Sequence, residues 1–341
     1  MQTAHEVLVA LAQRYAFGEV AALVAAGAAG ETLTTRDGAR IDQLCAFGQR
    51  LLDLDAEDFG IADAARDSNT EHTFADRVAG DAVPPDLVLR ARACRMPQDP
   101  RERDRGALGS LVPAFGLLLE VIALRWARRE TAAVVAAIHI TSEYLPLLAW
   151  ESVLGHAGDP ARIGPAVSGD GSAWGDFDDR DCAHTRPERS AAHHAVRVAH
   201  ESGPQWRTYL DRQHSNVAHA LAVCAGECRR PCGVVTRHPA TEQELLQRRC
   251  RAALAYVSSP IVRLRHSAPV GHGFGVPSTG EVREAWVRSR GELARLEPAV
   301  RTEDGYPLPG LPSLFSAVAG RLVAPATLVT DTATALVAAL A

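Results

Sequence analysis

Residues 132–159 read AAVVAAIHITSEYLPLLAWESVLGHAGD. Ala133, Val134, Ala137, Ile138, Leu145, Leu148, Ala149 and Val153 recur at helical spacing and make a broad apolar surface. Into that surface are set His139, Glu143, Glu151 and His156, residues that a simple core helix does not want. His139 and Glu143 are four apart, so on a helix they share a face and can meet each other or point at one object. Burying an imidazole or a carboxylate without a partner is costly, so this stretch demands partners from elsewhere in the chain. Pro146 lies inside it and predicts a kink or a division into two helices.

Working outward, 109–128 is a second apolar helix with Glu120 lodged in FGLLLEVIAL, ending in the basic cluster Arg125, Arg128 and Arg129. The short connection predicts an antiparallel pair with the first stretch. Alanine is plentiful and aromatic residues make up only 5%, a balance that favours helices over sheets. The fold class read from this is all-α: a helical bundle with long polar loops and no substantial sheet. The charged run PQDPRERDRG (97–106) separates an N-terminal helical region, 1–96, from a main helical domain, 107–341, that carries the site; the two are also compatible with one continuous domain.

Elsewhere, Asp37-Gly38 reads as a turn before a helix from Arg40 to Leu54, and 55–83 reads as acidic loop. The Gly- and Asp-rich stretch 164–188 reads as a solvated surface or lid loop; Asp176, Asp178, Asp179 and Asp181 in it match no metal-binding spacing. Helices follow at 190–201, 205–223 and from Thr241 to Val257. Thr241 with Glu244 and Ser278 with Glu281 read as capping boxes. Residues 262–278, VRLRHSAPVGHGFGVPS, look like a strand or extended loop closing on a glycine cradle.

The net charge of -5 gives no support for a nucleic-acid surface. No run of about twenty uninterrupted apolar residues predicts a membrane span, and the N-terminus lacks a basic leader. The expectation is a cytoplasmic protein whose partner is a small molecule, with no nucleic acid and no membrane, and with room for a homo-oligomer. Seven cysteines in a long chain argue for free thiols. Cys224, Cys228 and Cys232, spaced by four, read as small buried thiols at a helix end rather than a metal cluster.

Histidines cluster between residues 139 and 272, several on apolar helix faces. A carboxylate-bridged di-iron bundle would use Glu120 and Glu143, but its Glu-x-x-His motif does not occur in the chain. A divergent non-haem iron site of Glu120, Glu143 and His193 stays open. A b-type haem needs an axial histidine on a helix, an apolar slot and groups for the propionates. His214 or His219, on one helix but different faces, could be the ligand, and Arg265 could hold a carboxylate. A helical binding or scaffold protein with structural histidines is the non-enzymatic alternative.

Three segments, in order, resemble the tryptophan and indoleamine 2,3-dioxygenase-like superfamily of haem-dependent aromatic oxygenases, which includes haem-dependent tyrosine hydroxylases. Ile138-His139-Ile140-Thr141-Ser142-Glu143 is similar to its Ile-His-x-x-x-Glu helix. Arg212-Gln213-His214-Ser215-Asn216-Val217 is similar to its axial-histidine helix, with the arginine one residue closer. Gly271-His272-Gly273-Phe274-Gly275 occupies the place of its Gly-rich loop but lacks the Gly-Thr-Gly-Gly run. The resemblance implies an all-α haem b oxygenase or peroxygenase acting on an aromatic amino acid in biosynthetic metabolism. It implies His214 as axial ligand with Arg212 beside it, His139 and Glu143 as distal acid–base groups, and Gly271 and Gly273 in the substrate-covering loop.

Overall fold

The computed structural model describes residues 4–28, 34–55, 82–94, 110–154, 183–200, 206–267 and 275–341, and the backbone alone at 35, 196–200, 206–214 and 266–267. Every element among them is helical and none is a strand. In chain order they are α1 (Ala4–Gln13), α2 (Phe17–Ala25), α3 (Thr35–Leu52), α4 (Pro85–Ala93), α5 (Val112–Ala127), α6 (Thr131–Leu154) and α7 (Arg186–His200). Then come α8 (Trp206–Gly226), the one-turn α9 (Gly233–Thr236), α10 (Ala240–Val257), α11 (Pro260–Ser267), α12 (Thr279–Leu293), α13 (Leu311–Ala319) and α14 (Leu328–Leu340).

The stretch around residues 132–159 is the central helix. α6 packs against α5, α8, α10, α11, α12 and α13, which explains why it is apolar on every side rather than along one stripe. It is long and apolar enough to cross a membrane, but 61% of its most apolar window is buried inside the protein. Pro146 does not divide it: α6 runs unbroken from Thr131 to Leu154 with the proline buried among its neighbours. Packing on all sides holds the helix together where one backbone hydrogen bond is missing. Its buried hydroxyls are satisfied locally: Thr141 Oγ1 donates to the Ile138 carbonyl at 2.7 Å and meets the Tyr256 hydroxyl at 2.8 Å, and Ser142 Oγ donates to the His139 carbonyl.

Two apolar cores result. One surrounds α6 and takes in Trp150, Tyr256, Trp286 and Phe315. The other joins α1, α2, α3 and α4 to Leu328, Val329, Ala333 and Leu336 of α14 and to Leu117 and Val121 of α5. The N-terminal helices thus bury their apolar faces against the last helix of the chain. The expected boundary at 97–106 lies outside the described residues.

Three local expectations are corrected. Asp37 and Gly38 are not a turn before a helix but its first turn, because Thr34 is the N-cap and exchanges hydrogen bonds with Asp37 in a capping box. Thr241 and Glu244 make no capping box, since α10 already starts at Ala240 with Pro239 as its N-cap, two residues earlier than that motif needs. The stretch 262–278 opens as helix: Pro260 stands at the first position of α11, where its fixed φ and missing N–H do no harm. The second proposed box is present, with Ser278 capping α12 through Glu281.

Candidate functional site

His139 and Glu143 meet, as their spacing requires: Nε2 lies 3.0 Å from Oε1 one helical turn away. Arg265, on helix α11 rather than a strand edge, brings its guanidinium to 4.0 Å from the same oxygen. The Glu143 carboxylate therefore sits between an imidazole and a guanidinium, all three half-buried. Such a group can hold one tautomer of His139 and hand its proton on.

The remaining expected ligands disperse. The buried Glu120 carboxylate accepts from the Val329 and Thr330 amides at 3.1 and 2.9 Å and from the Thr330 hydroxyl at 2.9 Å, closing the N-terminus of α14. Glu151 does the same for α5, accepting from the Leu111 amide at 2.7 Å and the Ser110 hydroxyl at 2.9 Å, and it pairs with Arg321. His193 is exposed on α7. Glu120, Glu143 and His193 are thus not brought together, and among the described residues no group of three or more His, Cys, Asp or Glu side chains could hold a metal ion. Arg212 and His214 stand on α8 with their side chains outside the described set; Gly271, Gly273 and His156 lie outside the described residues.

His219 has a different setting. It lines a groove of about 670 Å³ between α7, α8 and α10, with Glu188, Val223, Arg251, Leu254 and Leu296 among the other walls. That volume lies within the usual range of ligand pockets, about 300–1,000 Å³. His219 Nδ1 is 3.9 Å from Glu188 Oε1, a charge contact rather than a hydrogen bond. Burial pushes the His219 pKa below the ordinary histidine value against the pull of Glu188 and Glu227, which favours the neutral, ligating imidazole. Glu188 is itself held in place. Its Oε2 accepts from the Thr185 amide at 2.7 Å while Thr185 Oγ1 accepts from the Glu188 amide at 3.4 Å, a capping box that opens α7. The Thr-x-x-Glu signature at 185–188 is legible in the sequence; that its carboxylate faces His219 is not. No α6 residue lines the groove, so His139 and His219 belong to separate places.

Beside the groove lies a thiol cluster. Cys224 occupies the last turn of α8, Cys228 follows the helix end, and Cys232 caps α9. Cys224 Sγ accepts from the Cys232 amide at 3.3 Å, and the three sulfurs lie close enough to shift one another's pKa. His184, which no sequence signal marks, completes it: Nδ1 is 3.7 Å from Cys228 Sγ, and Nε2 is 2.8 Å from the Ala220 carbonyl. The expectation of buried thiols at a helix end describes Cys224 and Cys228, which are buried, but it omits their imidazole partner. No protein-family model, curated protein or solved structure matches this chain.

Proposed function

We propose that this chain is a haem-dependent oxidoreductase with a b-type haem seated between α7, α8 and α10 and His219 as its axial ligand. The observation that carries this reading is the half-buried imidazole of His219, set in a groove of mixed polar and apolar lining with Glu188 3.9 Å from its Nδ1. The fit is chemical as well as steric. Val223, Leu254 and Leu296 offer apolar surface to a macrocycle, and Arg251, whose Nε donates to the Gly226 carbonyl at 2.9 Å, offers a positioned cation for a carboxylate. When bound, haem supplies one-electron chemistry with dioxygen or peroxide. At 3.9 Å the Glu188 charge favours the His219 hydrogen on Nδ1 and leaves Nε2 to ligate, without the hydrogen bond that usually backs a histidine metal ligand. The substrate class follows the resemblance: an aromatic amino acid or related small molecule.

A second reading keeps His214 as the ligand and gives His139 the acid–base role. The 3.0 Å contact of His139 with Glu143, and Arg265 beside them, favour it. One experiment separates the two: absorption spectra of the wild type, His219→Ala and His214→Ala after haem reconstitution. The expected result is a Soret band in the wild type and in His214→Ala, and its loss in a still-helical His219→Ala. Loss only in His214→Ala transfers the site to the second reading. A colourless wild type overturns both; bound iron would then point to a non-haem centre, and its absence to a binding or scaffold protein.

The depressed pKa of His219 adds a pH dependence. Protons compete with the metal only below that pKa, so haem retention stays level from about pH 8 down to the ordinary histidine pKa of 6.5 and falls below it. A retention midpoint above 6.5, read from the Soret band, contradicts the assignment of His219.

A further inference from the structure

We propose that Cys228 and Cys224 form a redox-active dithiol that reacts with hydroperoxides, Cys228 being the attacking thiolate and Cys224 its resolving partner. The inference does not need the haem, although the thiols are approached through the groove in which the haem is proposed to sit.

The tautomer of His184 starts the argument. The Ala220 carbonyl can only accept, so Nε2 of His184 carries the hydrogen that it donates at 2.8 Å. In the neutral ring Nδ1 is then an acceptor, and it faces the Cys228 thiol at 3.7 Å. Proton transfer between them yields an imidazolium beside a thiolate, the activation used by nucleophilic cysteines. Two further groups close to the sulfur favour its anion, the Cys224 thiol and the Ala183 backbone. Led by the bond from Cys224, these contacts push the Cys228 pKa down against the effect of burial. Burial first, and then the neighbouring sulfurs, push Cys224 up, so it stays a thiol. Burial above all pushes Cys45 and Cys94 up to about 12, which leaves them inert.

Position supports the pairing. α8 ends at Gly226, and the Cys228 amide turns back to the Val223 carbonyl at 3.1 Å, wrapping Cys228 against the turn that carries Cys224. A disulfide needs Cβ atoms closer than a regular helix allows at this spacing. Because Cys228 lies beyond the helix end, only the short segment after Gly226 has to move. Cys228 keeps 7% exposure while Cys224 has none. Ala183, Val223, Gly226 and Glu227, which flank the partners, also line the groove and give a small oxidant an approach.

The chemistry balances. The Cys228 thiolate attacks the terminal oxygen of ROOH and breaks its O–O bond, giving a sulfenic acid, and RO⁻ takes the imidazolium proton to leave as ROH. The Cys224 sulfur then attacks the sulfenic sulfur and displaces hydroxide, which leaves as water with the Cys224 proton. Two thiols are oxidised to one disulfide, and one hydroperoxide is reduced to an alcohol and water.

The test uses the reduced full-length chain, treated with stoichiometric hydrogen peroxide, unfolded, alkylated and cleaved after arginine. Residues 213–229 form one peptide that carries both Cys224 and Cys228. It should appear unalkylated and lighter by two hydrogen atoms, while Cys45, Cys94 and Cys250 are alkylated. His184→Gln should slow the reaction about tenfold and move its pH midpoint toward that of an ordinary thiol; Cys228→Ser should abolish it. Full alkylation after peroxide overturns the proposal, as does a link from this peptide to one carrying Cys182 or Cys232. So does stoichiometric zinc that must be removed before the thiols react. An unchanged rate and pH profile in a folded His184→Gln variant overturns the activation by His184.

Discussion

Glu120→Ala should lower the unfolding free energy by about 3 kcal/mol, the combined effect of a lost trans-helix cap and of buried donors left without acceptors. Glu120 sits in the middle of α5, 3% exposed, and its two oxygens take the Val329 amide, the Thr330 amide and the Thr330 hydroxyl. Alanine offers no acceptor at that depth, and no other side-chain cap closes α14. The consequence extends beyond one helix, because Leu328, Val329, Ala333 and Leu336 form the floor on which α1, α3 and α4 pack. Glu120→Gln keeps one carbonyl acceptor and should lose roughly half as much. Urea denaturation followed by circular dichroism reads both. A loss below about 1 kcal/mol for the alanine variant would show that water replaces the carboxylate and that the cap is not what secures α14.

Gly310→Ala should be at least as damaging, about 3 kcal/mol or more, for a purely steric reason. Gly310 has φ +83°, in the left-handed region, and a Cβ there would lie 1.9 Å from the Val300 carbonyl oxygen. That neighbour is backbone and cannot rotate away. The amide of Gly310 is also tied to Asp304, whose carboxylate accepts at 3.2 and 3.3 Å. Relief would have to come from displacing the start of α13, and with it Phe315, which stacks edge-on against Phe115 and Tyr256 in the main core. Gly27→Ala is the matched control. Its φ of +76° is similar, but nothing lies within 4 Å of its Cβ, so only conformational strain of about 1 kcal/mol applies. Equal losses in thermal or urea unfolding would mean that strain alone decides the cost at Gly310 and that the contact with Val300 relaxes freely.

Much of the architecture was legible in residue patterns. Period and composition identify α5 and α6 as apolar helices joined by a short turn, and Ser278 with Glu281 marks the start of α12, because capping and periodicity are local properties of a few neighbouring residues. The meeting of His139 with Glu143 belongs to the same class, since helical spacing alone brings them together. Local patterns misled where two signals competed. The strand or extended loop expected at 262–278 opens as helix α11 instead, because a proline such as Pro260 is excluded from a helix interior but not from a first turn. Pro146 does lie in an interior, yet α6 continues through it because neighbours enclose the helix on all sides.

Composition and period establish the helical class and mark Glu120 and Glu151 as carboxylates whose burial demands partners. Who those partners are comes from the packing of the helices. Glu120 and the α14 amides are more than two hundred residues apart, and Tyr306 and the Leu119 carbonyl are 187 apart. His219 gains Glu188, and Cys228 gains His184, only because α7 packs along α8. A side chain's chemistry is set by what lies within a few ångströms of it, and in a bundle those neighbours arrive from helices whose order of packing no local pattern encodes.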